Sequence, residues 1–149
     1  MITRFATPAD MPKVAELSRQ LASHVCDPDP GAGHRDLANW GFGPASWFEC
    51  LVLEKNRDII GFALFCKRFE AHTRRRYLWL GDLCVDKRHR QEGAGRKLVD
   101  ALKHYAATLG CDGIDLELWK LNEEARRFYA RVGATPIQDV DSFRILVTP

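Results

Sequence analysis

Apolar residues recur along this chain at two periods, and the switches between them mark its elements. Val14, Leu17, Leu21 and Val25 fall at three- and four-residue steps, one stripe of a helix. Thr7-Pro8-Ala9-Asp10 supplies the start of that helix: Thr7 can cap it, Pro8 suits its first position, and Asp10 sits where a capping-box carboxylate belongs. Ahead of it, Met1 to Ala6 alternates loosely and predicts a short first strand. Phe48 to Lys55 and Ile59 to Phe65 are rich in aromatic and β-branched residues and predict two strands joined at Asn56-Arg57-Asp58. A longer strand is expected from Tyr77 to Val85. Leu98, Leu102, Tyr105 and Leu109 then return to helical spacing up to a stop at Gly110. Gly113 to Leu118 predicts a fifth strand, and Asn122 caps a helix lined by Ala125, Phe128, Tyr129 and Val132 and closed by Gly133. Ile137 and Phe143 to Val147 predict the closing strands.

This order, β-α-(α)-β-β-β-α-β-α-β-β, implies an α/β domain spanning residues 1–149. Its expected core is a mixed, mostly antiparallel central sheet of six to seven strands with helices on both faces. Parallel pairing is expected where strand Tyr77 to Val85 meets strand Gly113 to Leu118, because a helix crosses between them. Open α/β sheets bind ligands at such a place. Between Asp27 and Trp47 the periodicity fails among prolines and glycines, leaving room for a short helix near Arg35 to Asn39. Asp27, Asp29, His34, Asp36, Trp40, Phe42 and Trp47 make this segment a candidate substrate loop for a cation, or a surface loop whose aromatics tuck onto the core.

Composition narrows the function only modestly. A chain of 149 residues with 46% hydrophobic and 28% charged content is that of an ordinary globular domain. The five cysteines are dispersed and odd in number, which argues against a disulfide framework or structural zinc. No apolar run approaches the roughly 20 residues of a membrane span, and Met1 to Asp10 carries no signal pattern, so a cytoplasmic protein with no membrane partner is expected. A net charge of +2 is too small to make nucleic acid a main partner. The histidines His24, His34, His72, His89 and His104 show no metal-ligand spacing and read as structural or solvated.

Chemistry concentrates in Asp86 to Lys97, between an apolar run and an amphipathic one. Arg90, Gly93 and Gly95 form an Arg-x-x-Gly-x-Gly arrangement, in which the main chain can approach a ligand at two positions and turn its N–H groups on phosphate oxygens. A helix starting there adds unsatisfied N–H groups and the positive end of its dipole. Lys87, Arg88, His89, Arg96 and Lys97 supply further cationic side chains. Taken alone, the stretch reads equally as a phosphate cradle or as a solvated turn capping a helix.

Leu83-Cys84-Val85, then Arg90-Gln91-Glu92-Gly93-Ala94-Gly95, then Asn122 with Phe128-Tyr129 after it, resemble the acetyl-CoA-binding core of the GCN5-related N-acetyltransferases. Gly110 to Ala134 resembles the diamine, spermidine/spermine-type branch. The resemblance implies a sheet whose strands splay at the cofactor site. It also implies that Leu83, Cys84 and Val85 pair their main chain with the pantetheine arm of acetyl-CoA. Gln91, Glu92, Gly93, Ala94, Gly95 and Arg96, following Arg90, would hold the pyrophosphate, and Asn122 would contact the cofactor near the pantetheine. Tyr129, a core residue by pattern alone, becomes the general acid facing the sulfur: a phenol, with a reference pKa of about 10 against roughly 8.5 for a thiol, can protonate a departing thiolate. A main-chain N–H near Cys84 could stabilise the oxyanion.

A carboxylate must also receive the amine. Asp82 is the best placed by sequence, as substrate ligand and base candidate, with Glu117 and Glu49 as alternatives on neighbouring strands. Cys84 invites a nucleophile reading, but it sits between apolar neighbours with no histidine close in sequence. Gly81 stands where the diamine branch often has an acidic residue, which weakens a polyamine assignment. The expected activity is therefore acetyl transfer from acetyl-CoA, without a metal, to a primary amine of a small molecule such as a polyamine or amino acid, by direct attack in a ternary complex. Transfer to a protein or peptide, and a non-catalytic acyl-CoA-binding module, are the alternatives. By analogy with the family, a homodimer is expected.

Overall fold

The computed structural model of the protein describes residues 1–26, 28, 33–138 and 140–147. Five strands, β1 (Ile2–Phe5), β2 (Glu49–Lys55), β3 (Asp58–Glu70), β4 (Arg75–Val85) and β5 (Gly113–Leu116), form one sheet in sequence order. Neighbours pair antiparallel up to β4, while β4 and β5 run parallel from Tyr77 opposite Gly113 to Leu80 opposite Leu116. The helices are α1 (Met11–His24), α2 (His34–Gly41), α3 (Ala94–Thr108) and α4 (Glu123–Arg131). A parallel partner requires a crossover, and α3 provides it.

Successive strand residues point to opposite faces, so a sheet covered on both sides must be apolar at consecutive positions. Leu51, Val52 and Leu53 of β2 show this: Leu51 and Leu53 join Phe65, Leu78 and Leu80 beneath Leu98 and Leu102 of α3. Val52 instead joins Phe62 and Cys84 beneath Met11, Val14 and Leu17 of α1. The helical stripes expected from residue spacing are thus the faces that reach the sheet. The β2–β3 hairpin turns at Asn56 and Arg57, both with positive φ (52° and 69°), the backbone a tight two-residue hairpin demands.

The predicted closing strands do not form. Residues 134–138 and 140–147 carry neither helix nor strand, so the sheet has five strands among the described residues and not six to seven. Phe143, Ile145 and Val147 are more than nine-tenths exposed. An alternating apolar run has the propensity of a strand wherever it lies, but a strand also needs a neighbour for its hydrogen bonds. Among the described residues this segment pairs with no strand of the sheet. The fifth strand also ends early, at Leu116 and not Leu118.

Asp10 fastens β1 to the start of α1. Its carboxylate accepts hydrogen bonds from both Arg4 guanidinium ends (2.7 and 2.9 Å), from the Thr7 N–H (2.7 Å) and from the Thr7 hydroxyl (2.9 Å). Arg4 also donates to Glu54 of β2 at 3.2 Å. The Arg4 guanidinium holds the Asp10 carboxyl well below the usual carboxylate range, against the opposing effect of burial. Asp10→Ala should lower the unfolding free energy by about 2–3 kcal/mol, read from the urea midpoint. A carboxyl depressed in the folded state contributes its stability above the unfolded pKa and loses it in acid. The difference between wild type and variant should therefore be full at neutral pH and narrow below about pH 4; a constant difference would assign it to packing.

Candidate functional site

The site begins where β5 ends. β4 continues from Gly81 to Val85 with β3 on one side only, its Leu83 opposite Ala63 and its Val85 opposite Gly61. Leu64 pairs with Asp82 and Phe65 with Leu80, so Gly81 is an extra residue in β4, a bulge at the point where the two parallel strands part. The far main-chain edge of Gly81–Val85 consequently has no strand to satisfy it. It opens on a cavity of about 360 Å³.

The opposite wall of that cavity is the turn leading into α3. Asp86 anchors this turn by accepting from the Arg88 N–H at 3.0 Å and from the Arg88 guanidinium at 2.8 Å, while its own N–H donates to the Ile60 carbonyl at 2.8 Å. Gln91 (φ 67°) and Gly93 (φ 79°) both take left-handed backbone. Lys97 is the first residue of the helix start to find a main-chain acceptor, the Gly93 carbonyl at 3.1 Å. The N–H groups of Ala94, Gly95 and Arg96 are those a helix N-terminus leaves over.

The two glycines serve different ends. A side chain at Gly93 would meet nothing within 4 Å, so its demand is conformational. A Cβ at Gly95 would lie 3.0 Å from the Phe128 ring, so the absence of a side chain there lets α4 pack against α3. Gly95 thus has a packing demand of its own beside its place on the cavity wall.

Of the residues singled out by sequence, Leu83, Cys84, Val85, Arg90, Gln91, Gly93, Ala94, Gly95, Arg96, Asn122 and Tyr129 all line this cavity. The Arg90 Nε donates to the Val85 carbonyl at 3.2 Å, and Arg96 donates to the Arg131 carbonyl at 2.8 Å, tying the turn to the end of α4. Glu92 is placed elsewhere: its carboxylate accepts from Lys55 at 2.6 Å, across to the β2–β3 hairpin, so its side chain is turned from the cavity. Asn122 caps α4, its side-chain oxygen accepting from the Ala125 N–H at 3.0 Å.

Tyr129, half-buried on α4, has its phenol pushed up to about 12, by burial first and then by the charge of Asp82. It is therefore protonated throughout the physiological range and can act as a donor. Asp82 is not on the cavity wall; burial raises its carboxyl above the ordinary range. Of the alternative carboxylates, Glu49 accepts from Tyr105 at 2.7 Å beside α3, and Glu117 accepts from Ser142 at 2.7 Å. Neither lines the cavity. Asp27 and Asp29 of the loop candidate lie outside the described residues. Phe42 packs on the α1 face of the sheet, while Trp40 and Trp47 are exposed.

Residue spacing alone missed Leu21 and His24 of α1 and Glu124 of α4, which complete the wall. Leu21 was legible as apolar but not as a lining residue, because nothing local shows that α1 ends beside α4. Among the described residues, no group of three or more His, Cys, Asp or Glu converges as a metal site. No helix among them is long and apolar enough to cross a membrane.

Residues 14–134 match the model of the acetyltransferase (GNAT) family. The chain is 23% identical to the thialysine N-epsilon-acetyltransferase of Bos taurus over 152 residues, 96% of this chain and 89% of that one. It is 30% identical over 79 residues to the spermine/spermidine N(1)-acetyltransferase of Bacillus subtilis, 51% of this chain and 52% of that one. The match spans only about half the length of the Bacillus subtilis relatives. The integron cassette protein VCH_CASS6 from the mobile metagenome of V. cholerae shares the fold, with a TM-score of 0.81 at 23% identity, covering 98% of this chain and 92% of that one.

Cys84 is a poor nucleophile in this setting. Its thiol donates to the Leu17 carbonyl at 3.4 Å within the α1 cluster, and burial pushes it up to about 11, partly offset by Arg90. Iodoacetamide at pH 8 should label exposed Cys26 in the native protein and leave Cys84 unmodified, read by peptide mass spectrometry. Rapid labelling of Cys84 would restore it as a candidate nucleophile.

Proposed function

The chain belongs to the acetyltransferase (GNAT) family, and we propose that it transfers acetyl from acetyl-CoA to a primary amine of a small molecule, with both substrates bound together. The observation that carries this reading is the convergence, in one cavity, of an unpaired β4 edge, a helix N-terminus with free N–H groups, and a protonated phenol. An extended amide-bearing arm can pair with the β4 edge as an added strand. A pyrophosphate suits the N–H groups at the start of α3 and the guanidinium groups of Arg90 and Arg96. Acetyl-CoA brings both features and supplies an activated acyl group.

The chain's residues then divide the remaining work. The free N–H groups of the β4 edge near Cys84 can donate to the oxygen on which charge develops. Tyr129 holds a proton for the departing sulfur, and its raised pKa keeps that proton in place until a strong base arrives. Asp82, whose charge is felt by Tyr129, contributes negative potential that favours a cationic acceptor. The names of the thialysine and polyamine relatives support an amine on a flexible aliphatic chain. Within that range, Gly81 in place of an acidic residue argues for one carrying fewer charges than spermine.

Thiol release from acetyl-CoA across diamines, lysine analogues, aminoglycosides and peptides should show turnover with an aliphatic amine. Tight cofactor binding without turnover on any of them would favour a non-catalytic module. Tyr129→Phe should lower kcat by roughly 10²-fold or more with little change in acetyl-CoA affinity. An unaltered rate would remove Tyr129 from its role. Gly93→Val places a branched side chain in left-handed backbone and should weaken acetyl-CoA binding at least about tenfold by calorimetry. Retained affinity would refute the phosphate-turn reading.

A further inference from the structure

The carboxylates considered as base all lie off the cavity wall, yet the incoming ammonium must lose a proton. His24, at the last turn of α1, lines the same cavity as Tyr129, Leu83 and Cys84. The end of α1 and the Tyr129 phenol therefore face one continuous cavity of about 360 Å³. The His24 Nε2 lies 3.8 Å from the Glu124 carboxylate on α4. That is too long for a hydrogen bond but close enough to orient the ring and favour the tautomer with the proton on Nε2. Nδ1 is then left with its lone pair free. The side chain is about one-third exposed, open enough to exchange protons with water.

We propose that His24 is the general base of the transfer and that Glu124 is its positioning residue. This rests on the acetyltransferase reading of the same cavity. His24 Nδ1 takes one proton from the acceptor ammonium, directly or through one water. The amine lone pair forms the C–N bond as the C–S bond breaks, and Tyr129 gives its phenolic proton to the leaving sulfur. The second proton of the attacking nitrogen returns to the Tyr129 phenolate, and His24 releases its own to solvent. One proton is thus set free for each amide formed.

The other charged or titratable groups on this wall are Arg90, Arg96 and Arg131, with Tyr129 and Cys84. Imidazole is the side chain whose ordinary titration lies near neutral pH, where such a base is most effective.

The experiment is the pH dependence of kcat/KM with spermidine and with S-aminoethylcysteine as acceptors, for wild type, His24→Gln, His24→Ala and Glu124→Gln. Wild type should lose activity in acid as the base becomes protonated. In His24→Gln the rate should drop by roughly 10²-fold and that acidic limb should vanish, while acetyl-CoA affinity by calorimetry stays within about threefold. Added imidazole should restore part of the His24→Ala rate, and Glu124→Gln should shift the acidic limb without removing it. A wild-type pH profile in His24→Gln, or a rate loss without imidazole rescue and with the acidic limb intact, would overturn the assignment. Wild-type protein inert toward every amine would instead refute the acetyltransferase reading on which it stands.

Discussion

β4 and β5 separate after Leu80, and the rest of the site depends on that separation. A main-chain edge inside a sheet normally has its hydrogen bonds filled by the next strand. Here the bulge at Gly81 and the early end of β5 leave Gly81–Val85 with a partner on one side only. Water can satisfy such an edge, but an extended ligand with amides can do so while excluding water from the reaction centre. The opening is kept by the packing behind it. α3 lies over Leu51, Phe65 and Leu80, whereas α1 lies over Val52, Phe62 and Cys84. Each helix is fastened to its own face of the sheet, and the cavity opens between them.

Burial then sets the proton chemistry. The Tyr129 phenol is raised by desolvation and by a neighbouring negative charge, and both effects penalise the phenolate. The same burial raises Asp82 and Cys84. Burial thus keeps a proton on the phenol and on the thiol, and it makes the Asp82 carboxylate a stronger base than it would be in water. Asp82 does not line the cavity, however, so a base in direct reach of a bound amine has to come from the wall itself, where the end of α1 places His24.

The turn, its helix and α4 were legible in the sequence because their signals are local. Gly93 requires left-handed backbone, Asn122 caps α4, and Leu98, Leu102, Phe128 and Tyr129 keep helical spacing. The change to parallel pairing was also legible, since a helix between two strands fixes their relative direction. What escaped depends on contacts distant in the chain. The pairing of the Glu92 side chain with Lys55, on another hairpin, has no local signal. The packing role of Gly95 against the Phe128 ring of α4 also escaped, because the two lie far apart in the chain. The closing strands failed for the same reason: Phe143 to Val147 has the composition of a strand, but composition does not supply an edge to pair with.

Donor and acceptor recognition are built from different material, and this explains why one is easier to read than the other. On the proposed reading the donor half uses main chain: the β4 edge, the N–H groups of Ala94 to Arg96, and the conformation of Gly93. Main-chain sites need little from particular side chains beyond glycine and a bulge, so they leave a compact and recognisable pattern. The acceptor half would instead draw on side chains that converge from distant elements, such as Leu21 and His24 on α1. Its pattern is scattered over the chain and is free to vary without disturbing the donor half. On the proposed reading, a likeness in the turn and α4 bears on the donor, whereas the choice of amine would rest with α1 and the α1-facing side of β4.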